Sequence, residues 1–261
     1  MLHLDTNEPA VPLSSNNNST KNPDYTLKNA SDSYAIIIQG GTIFAIIFLY
    51  WKRIRSIFAG LLGRNPKGKK LARNILLAFF PAACMGFFFG SWIEKYLFSP
   101  RMVMIALVVG AILMFGIEKL KKFLKIEIPE NQEMDLEDLT IRQSLTIGGL
   151  QCLAMWPGTS RSMITIVGGY LSGLSISKAA EFSFLLGIVT LSAASSYKLL
   201  TEGSNIAQIL TLGPAIFGCS VAFITGAFAI KFLINYLNSH SLSIFAWYRI
   251  LLAIGIFFSF K

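Results

Sequence analysis

The residues of this chain best equipped for chemistry lie together in Gln151 to Thr165, QCLAMWPGTSRSMIT. Thr159, Ser160, Ser162 and Thr165 supply hydroxyls and Arg161 a permanent cation, within a region that is otherwise strongly apolar. A charge among membrane-grade residues is costly and faces a polar cavity or a partner, which makes Arg161 a functional-site candidate. Its planar guanidinium suits two-pronged recognition of phosphate. Pro157 and Gly158 must interrupt any helix here, because proline lacks a backbone donor and glycine is a poor helix former. The amides freed at Gly158 and the hydroxyls beside it would then hydrogen-bond an anion, with phosphate the expected guest. The plainer alternative is a surface loop carrying one arginine at headgroup level.

The elements that must position this stretch are membrane helices. Of the 261 residues, 53% are hydrophobic and 14% charged, and mean hydropathy is +0.56. That composition predicts an all-α polytopic membrane protein. The formal net charge of +9 is concentrated in short loops between apolar blocks, which is topology information and not the footprint of a nucleic-acid binder. Cys84, Cys152 and Cys219 sit in apolar segments without pairing or metal-ligand spacing and read as inert thiols.

Taken in order, residues 1–34 form a polar, asparagine-rich arm, and 35–261 a single integral-membrane domain. Apolar blocks predict about six transmembrane helices: Ala35 to Trp51, Asn74 to Ile93, Met102 to Ile117, Phe182 to Leu200, Ile209 to Ile234 and Ile244 to Phe260. Between the first two, Lys52 to Arg73 holds eight basic residues and no acid, so the positive-inside rule places that loop, and the Lys119 to Lys125 cluster after the third, in the cytoplasm. The arm then lies outside. Ser144 to Leu174 is interrupted at Pro157 and Gly158, leaving halves of about 13 residues that cannot each cross ~30 Å of hydrocarbon, and predicts a re-entrant or broken helix lining a cavity.

Several polar positions carry paired readings. The acids from Glu127 to Asp138 are read as a solvated loop in preference to a metal site. Glu181 could pair with Arg161 or cap its helix at an interface. Gly40 and Gly41, the pair Gly86 and Gly90, and the stripe Gly218, Ala222, Gly226 read as helix-packing positions, and the last would also serve a homodimer. Tyr248 and Arg249 read as interface anchors, and His240 as a loop residue outside catalysis.

The string LQCLAMWPGTSRSMIT, continued by GGYLSGLSISKAAEFSFLLGIVT, resembles the second signature region of the bacterial undecaprenyl-diphosphate phosphatases, the bacitracin-resistance family. IQGGTIFAIIFLYWKR and HSLSIFAWYRI resemble other parts of that family. The resemblance implies an inverted-repeat architecture in which two broken helices share one central site. It also implies a first motif with two acids one turn apart, a Pro-x-Ser-Ser loop and a histidine. Here Glu8 and Val11-Pro12-Leu13-Ser14-Ser15 resemble part of that motif, Leu4 stands where the other acid is expected, and no histidine follows, so the first repeat is degraded in this chain or its helix is encoded upstream.

The activity implied is hydrolysis of undecaprenyl diphosphate to undecaprenyl phosphate and phosphate, which recycles the lipid carrier of peptidoglycan synthesis and confers bacitracin resistance. Arg161, Ser160, Glu8 and Ser15 would be catalytic, Gly158, Thr159, Ser162 and Thr165 would bind substrate, and Glu8 would hold a divalent cation, magnesium or calcium. The location implied is the bacterial inner membrane, with the site on the extracytoplasmic side. A non-hydrolytic polyprenyl-phosphate binder or transporter on the same scaffold is the alternative.

Overall fold

The computed structural model describes residues 27–124, 134–209, 212–239 and 243–259, and every regular element among them is helical. The helices are α1 (Leu27–Leu49), α2 (Trp51–Leu61), α3 (Pro66–Leu97), α4 (Pro100–Leu124), a 3₁₀ turn at Leu136–Asp138, α5 (Ile141–Leu153), α6 (Arg161–Leu171), α7 (Ile176–Ile209), α8 (Leu212–Ser239) and α9 (Ser243–Ser259). Four contain stretches long and apolar enough to cross a membrane: Pro66–Leu97, Pro100–Ile117, Ile176–Leu200 and Gly213–Leu237. The α9 helix, 17 residues long, sits at the lower limit for a span, and α1 joined to α2 would make a fifth. The protein is an all-α polytopic membrane protein.

Boundaries differ from the sequence reading in an instructive way. The α3 helix begins eight residues before the predicted Asn74, because Asn65 caps it by accepting from the amides of Lys67 and Gly68 and Pro66 occupies the first helical position. The α1 helix starts at Leu27, inside the stretch read as an arm. Glu8, Ser15, His3 and His240 lie outside the described residues, and with Glu8 and Ser15 goes the first half of the expected repeat.

Two compact units are distinguishable. In the first, which joins residues 1–49 to 188–230, the small-residue stripe of α8 meets α1. A side chain at Gly41 would strike the Cys219 carbonyl, Gly226 lies beside Thr42 and Ala45, and Phe48 meets Phe223 edge-on at 5.9 Å. The packing role read for Gly41, Gly218 and Gly226 is what the helices show, whereas a Cβ added at Gly40 or Gly90 would meet no other element within 4 Å among the described residues.

The second unit, residues 50–187 with 231–261, carries the interrupted helix. A capping box at Thr140 and Gln143 starts α5, which runs 13 residues and stops before Pro157. The α6 helix then folds back along it. Gly168 faces Ile147 and Leu150 of α5, and Gln143 Nε2 donates to the Ser172 carbonyl at 2.7 Å, tying the far end of α6 to the near end of α5. The predicted interruption is thus a re-entrant hairpin. Gly148 of α5 lies so close to α3 that an added Cβ would stand 2.5 Å from the Ala78 carbonyl.

At the base of this unit the polar residues deviate from expectation. Arg53 of α2 donates to Glu181 at 2.7 Å, Asp135 at 3.1 Å and Glu137 at 3.3 Å, and Lys178 meets Asp135 at 2.5 Å. Glu181 therefore pairs with Arg53, not Arg161. Glu137 is buried, so this end of the acidic segment is a structured clamp and not a solvated loop. Burial by itself would raise the Asp135 carboxyl, but Lys178 and Arg53 outweigh it and hold the group below its ordinary value.

Candidate functional site at the helix break

The break between α5 and α6 is locked from within. Thr159 is buried, and its hydroxyl donates to the carbonyls of Trp156 at 2.7 Å and Leu153 at 3.1 Å, closing the turn. Gly158 takes φ +98°, a left-handed conformation that side chains resist, and a Cβ there would stand 2.8 Å from the Val103 carbonyl of α4. Ser160 follows with φ 62°, the single non-glycine residue with positive φ among the described residues. Such backbone strain persists where surroundings enforce it and clusters at functional sites. Ser160 also caps α6, accepting from the Met163 amide at 3.4 Å.

A cavity of about 500 Å³ opens at this turn. Its surface is predominantly apolar, with side chains of α4, α6, α8 and α9 such as Leu107, Ile166, Leu233 and Phe245, and Gly158, Ser160, Ser162 and Arg249 are also among its lining residues. The N-terminus of α6 adds the positive end of a helix dipole. Arg249 and two serine hydroxyls beside a helix N-terminus are the kinds of group that bind anions.

Of the residues singled out in the sequence, Gly158, Ser160 and Ser162 line this cavity, and Arg161 is not among its lining residues. Two other hydroxyls turn elsewhere. Thr165 is fully buried, shares a hydrogen bond with Ser183 of α7 at 2.6 Å, and donates back toward the Arg161 and Ser162 carbonyls, so it joins α6 to α7. Thr159 belongs to the turn. Arg161 starts α6, and its guanidinium lies over Gly187 of α7, where an added Cβ would stand 2.8 Å from Nη2.

Arg249 is the residue sequence reading assigned too little. It sits on α9, only 6% exposed, and donates from Nη2 to the Gly158 carbonyl, while its Nε has no partner among the described residues. Gly110 of α4 leaves room for it, since a Cβ there would stand 2.9 Å from Cζ. The signal was present in the sequence, because an arginine inside an apolar 17-residue helix is subject to the same argument as Arg161.

The expected divalent cation finds no fitting set of ligands here. Among the described residues no three His, Cys, Asp or Glu side chains could hold a metal, and the polar residues lining the cavity offer donors and positive charge instead of carboxylates.

The family model described as bacitracin resistance protein BacA matches residues 10–255. An undecaprenyl-diphosphatase of Sorangium cellulosum is 39% identical over 227 residues, covering 85% of this chain and 72% of its own. Undecaprenyl-diphosphatase 3 of Acinetobacter baylyi is 37% identical, with 87% of this chain and 82% of its own covered, and undecaprenyl-diphosphatase 2 of Rhodospirillum rubrum is 37% identical with coverages of 87% and 80%. The match runs over nearly the whole chain, and the protein belongs to the bacitracin resistance protein BacA family.

Proposed function

We propose that this chain hydrolyses undecaprenyl diphosphate to undecaprenyl phosphate and inorganic phosphate, as the names of its relatives indicate for them. The observation that carries the proposal is the cavity: groups suited to an anion at a helix break stand among apolar walls, which matches the chemistry of a lipid diphosphate. The prenyl chain lies along Leu107, Ile166 and Leu233, and the diphosphate meets Ser160, Ser162, Arg249 and the α6 amides.

Hydrolysis consumes one water. The bond between the terminal phosphorus and the bridging oxygen breaks, the bridging oxygen stays on the lipid phosphate, and the oxygen of water ends on the released phosphate. Such transfers depend mainly on positioning and on offsetting charge. Arg249, already fixed by Gly158, and Arg161 at the head of α6 supply that positive charge, and the Ser160 and Ser162 hydroxyls orient the phosphoryl oxygens. A divalent cation, if Glu8 contributes to binding one, would add further charge neutralisation.

Packing supports a reading of the sidedness. Gly158 rests on Val103, in the first turns of α4, remote from the end of that helix that runs on to Lys119, whereas Arg53 and Lys178 cluster at the base of the hairpin. With the basic loops in the cytoplasm, the cavity faces the extracytoplasmic side of the cell membrane, where a carrier lipid would be regenerated for peptidoglycan synthesis.

Phosphate release from undecaprenyl diphosphate by the detergent-purified protein, with magnesium or with chelator, beside Arg161→Ala, tests the proposal. Release by the wild type that the variant loses is the expected result. A folded wild type that binds the lipid and releases no phosphate under either condition would overturn it.

A further inference from the structure

The α2 helix divides into three faces. Ser56 and Gly60 lie against the start of α3, so closely that side chains at Gly60 or Gly68 would strike backbone. Arg53 emerges beside that face and reaches the acids described above. At ~100° per residue Trp51, Phe58 and Leu62 fall within about 40° of one another on a different face. All three are more than half exposed, Leu62 reaching 72%. Lys52 and Arg55 stand on the flank between these faces, exposed and, among the described residues, outside any ion pair. Exposed Lys67 and Lys70 continue the positive charge into the first turns of α3. No acid occurs from Lys52 to Arg73 to neutralise it.

We infer that α2 lies in the membrane interface and binds the headgroups of anionic phospholipids. An aromatic and aliphatic strip beside a lysine and arginine flank is the pattern of a helix that rests at the headgroup boundary, its apolar face turned toward the acyl chains. A tryptophan at its first position suits that depth. Charge complementarity selects the occupant: a leaflet carrying negative lipids meets the unneutralised cations, whereas a zwitterionic one does not. Continuity with α3, which leads directly into a span, sets the helix at the level where headgroups are found.

The test is lipid selectivity of the whole protein. Purified protein is incorporated into nanodiscs of phosphatidylcholine mixed with phosphatidylglycerol, extracted in mild detergent, and its retained lipids counted by native mass spectrometry. Wild type is expected to retain phosphatidylglycerol several-fold over phosphatidylcholine, less so at high salt. The exposed quadruple variant Lys52→Ala, Arg55→Ala, Lys67→Ala, Lys70→Ala is expected to lose that preference. A control neutralising the exposed Lys95, Arg101, Arg142 and Lys231 is expected to keep it. Equal retention of both lipids by wild type overturns the inference, as does a preference that survives in the quadruple variant or disappears equally in the control.

Discussion

Arg249 donates to the Gly158 carbonyl, so a buried cation on the last helix holds the backbone at the turn of the re-entrant hairpin. Removing it takes away positive charge at the phosphate and the brace on the turn together. We expect Arg249→Ala to lower kcat about 10²-fold to 10³-fold, the range found when one preorganised donor to a developing charge is lost. Arg249→Lys should recover little, because an ammonium cannot bond the carbonyl and a phosphate in the same plane. Steady-state phosphate release checks both.

The glycines facing the two arginines offer a separate approach. In Gly110→Val and Gly187→Val the added carbons would occupy the positions of the Arg249 and Arg161 guanidiniums. Each should reproduce much of the kinetic loss of the corresponding arginine variant without changing any charge, as measured by kcat at saturating substrate.

The hydroxyls should separate into two groups. Ser160→Ala and Ser162→Ala should lower kcat, since both line the cavity. Thr165→Val should instead lower thermal stability by about 1–2 kcal/mol, through the loss of its bond to Ser183, with activity per folded molecule within a few-fold of wild type. Paired melting curves and assays would reveal a reversed assignment.

Arg53 bonds three carboxylates from a half-buried position. Arg53→Ala leaves Glu137 and Glu181 without their cation and should destabilise the protein by about 1–3 kcal/mol, less than a fully buried pair would lose. Thermal unfolding in detergent is the measurement.

The clamp also has a pH signature. The Asp135 carboxyl is held below its ordinary value, so its contribution to stability is complete above the unfolded value of about 3.9 and is lost as pH falls through the lower folded value. Asp135→Asn should therefore melt below wild type at neutral pH, and the gap should close as the pH is taken well under 4. A gap that widened on acidification would contradict the direction of the shift.

Much of this architecture was legible before the structure. Apolar run lengths marked four of the six expected spans as helices long enough to cross a membrane, and Pro157-Gly158 inside an apolar stretch marked the break, because both depend on local composition. The partners of charges were not legible in the same way. Arg53, Asp135 and Glu181 are 82 and 128 residues from one another across their bonds, and nothing local in the sequence encodes which acid a given arginine meets. The direction in which a hydroxyl points is similarly tertiary: Thr159 and Thr165 have the composition of ligands, yet backbone carbonyls and Ser183 claim them. Arg249 beside Tyr248 has the composition of an interfacial anchor, and only its tertiary burial separates it from one.

The bond from Gln143 to the Ser172 carbonyl has a consequence for counting transits of the bilayer. Because the two ends of the hairpin meet, α5 and α6 together contribute none. The parity of the chain is unchanged from Asp138 to Ser175, so reporter tags at these two positions should register the same compartment even though 24 helical residues and the turn at Gly158 separate them.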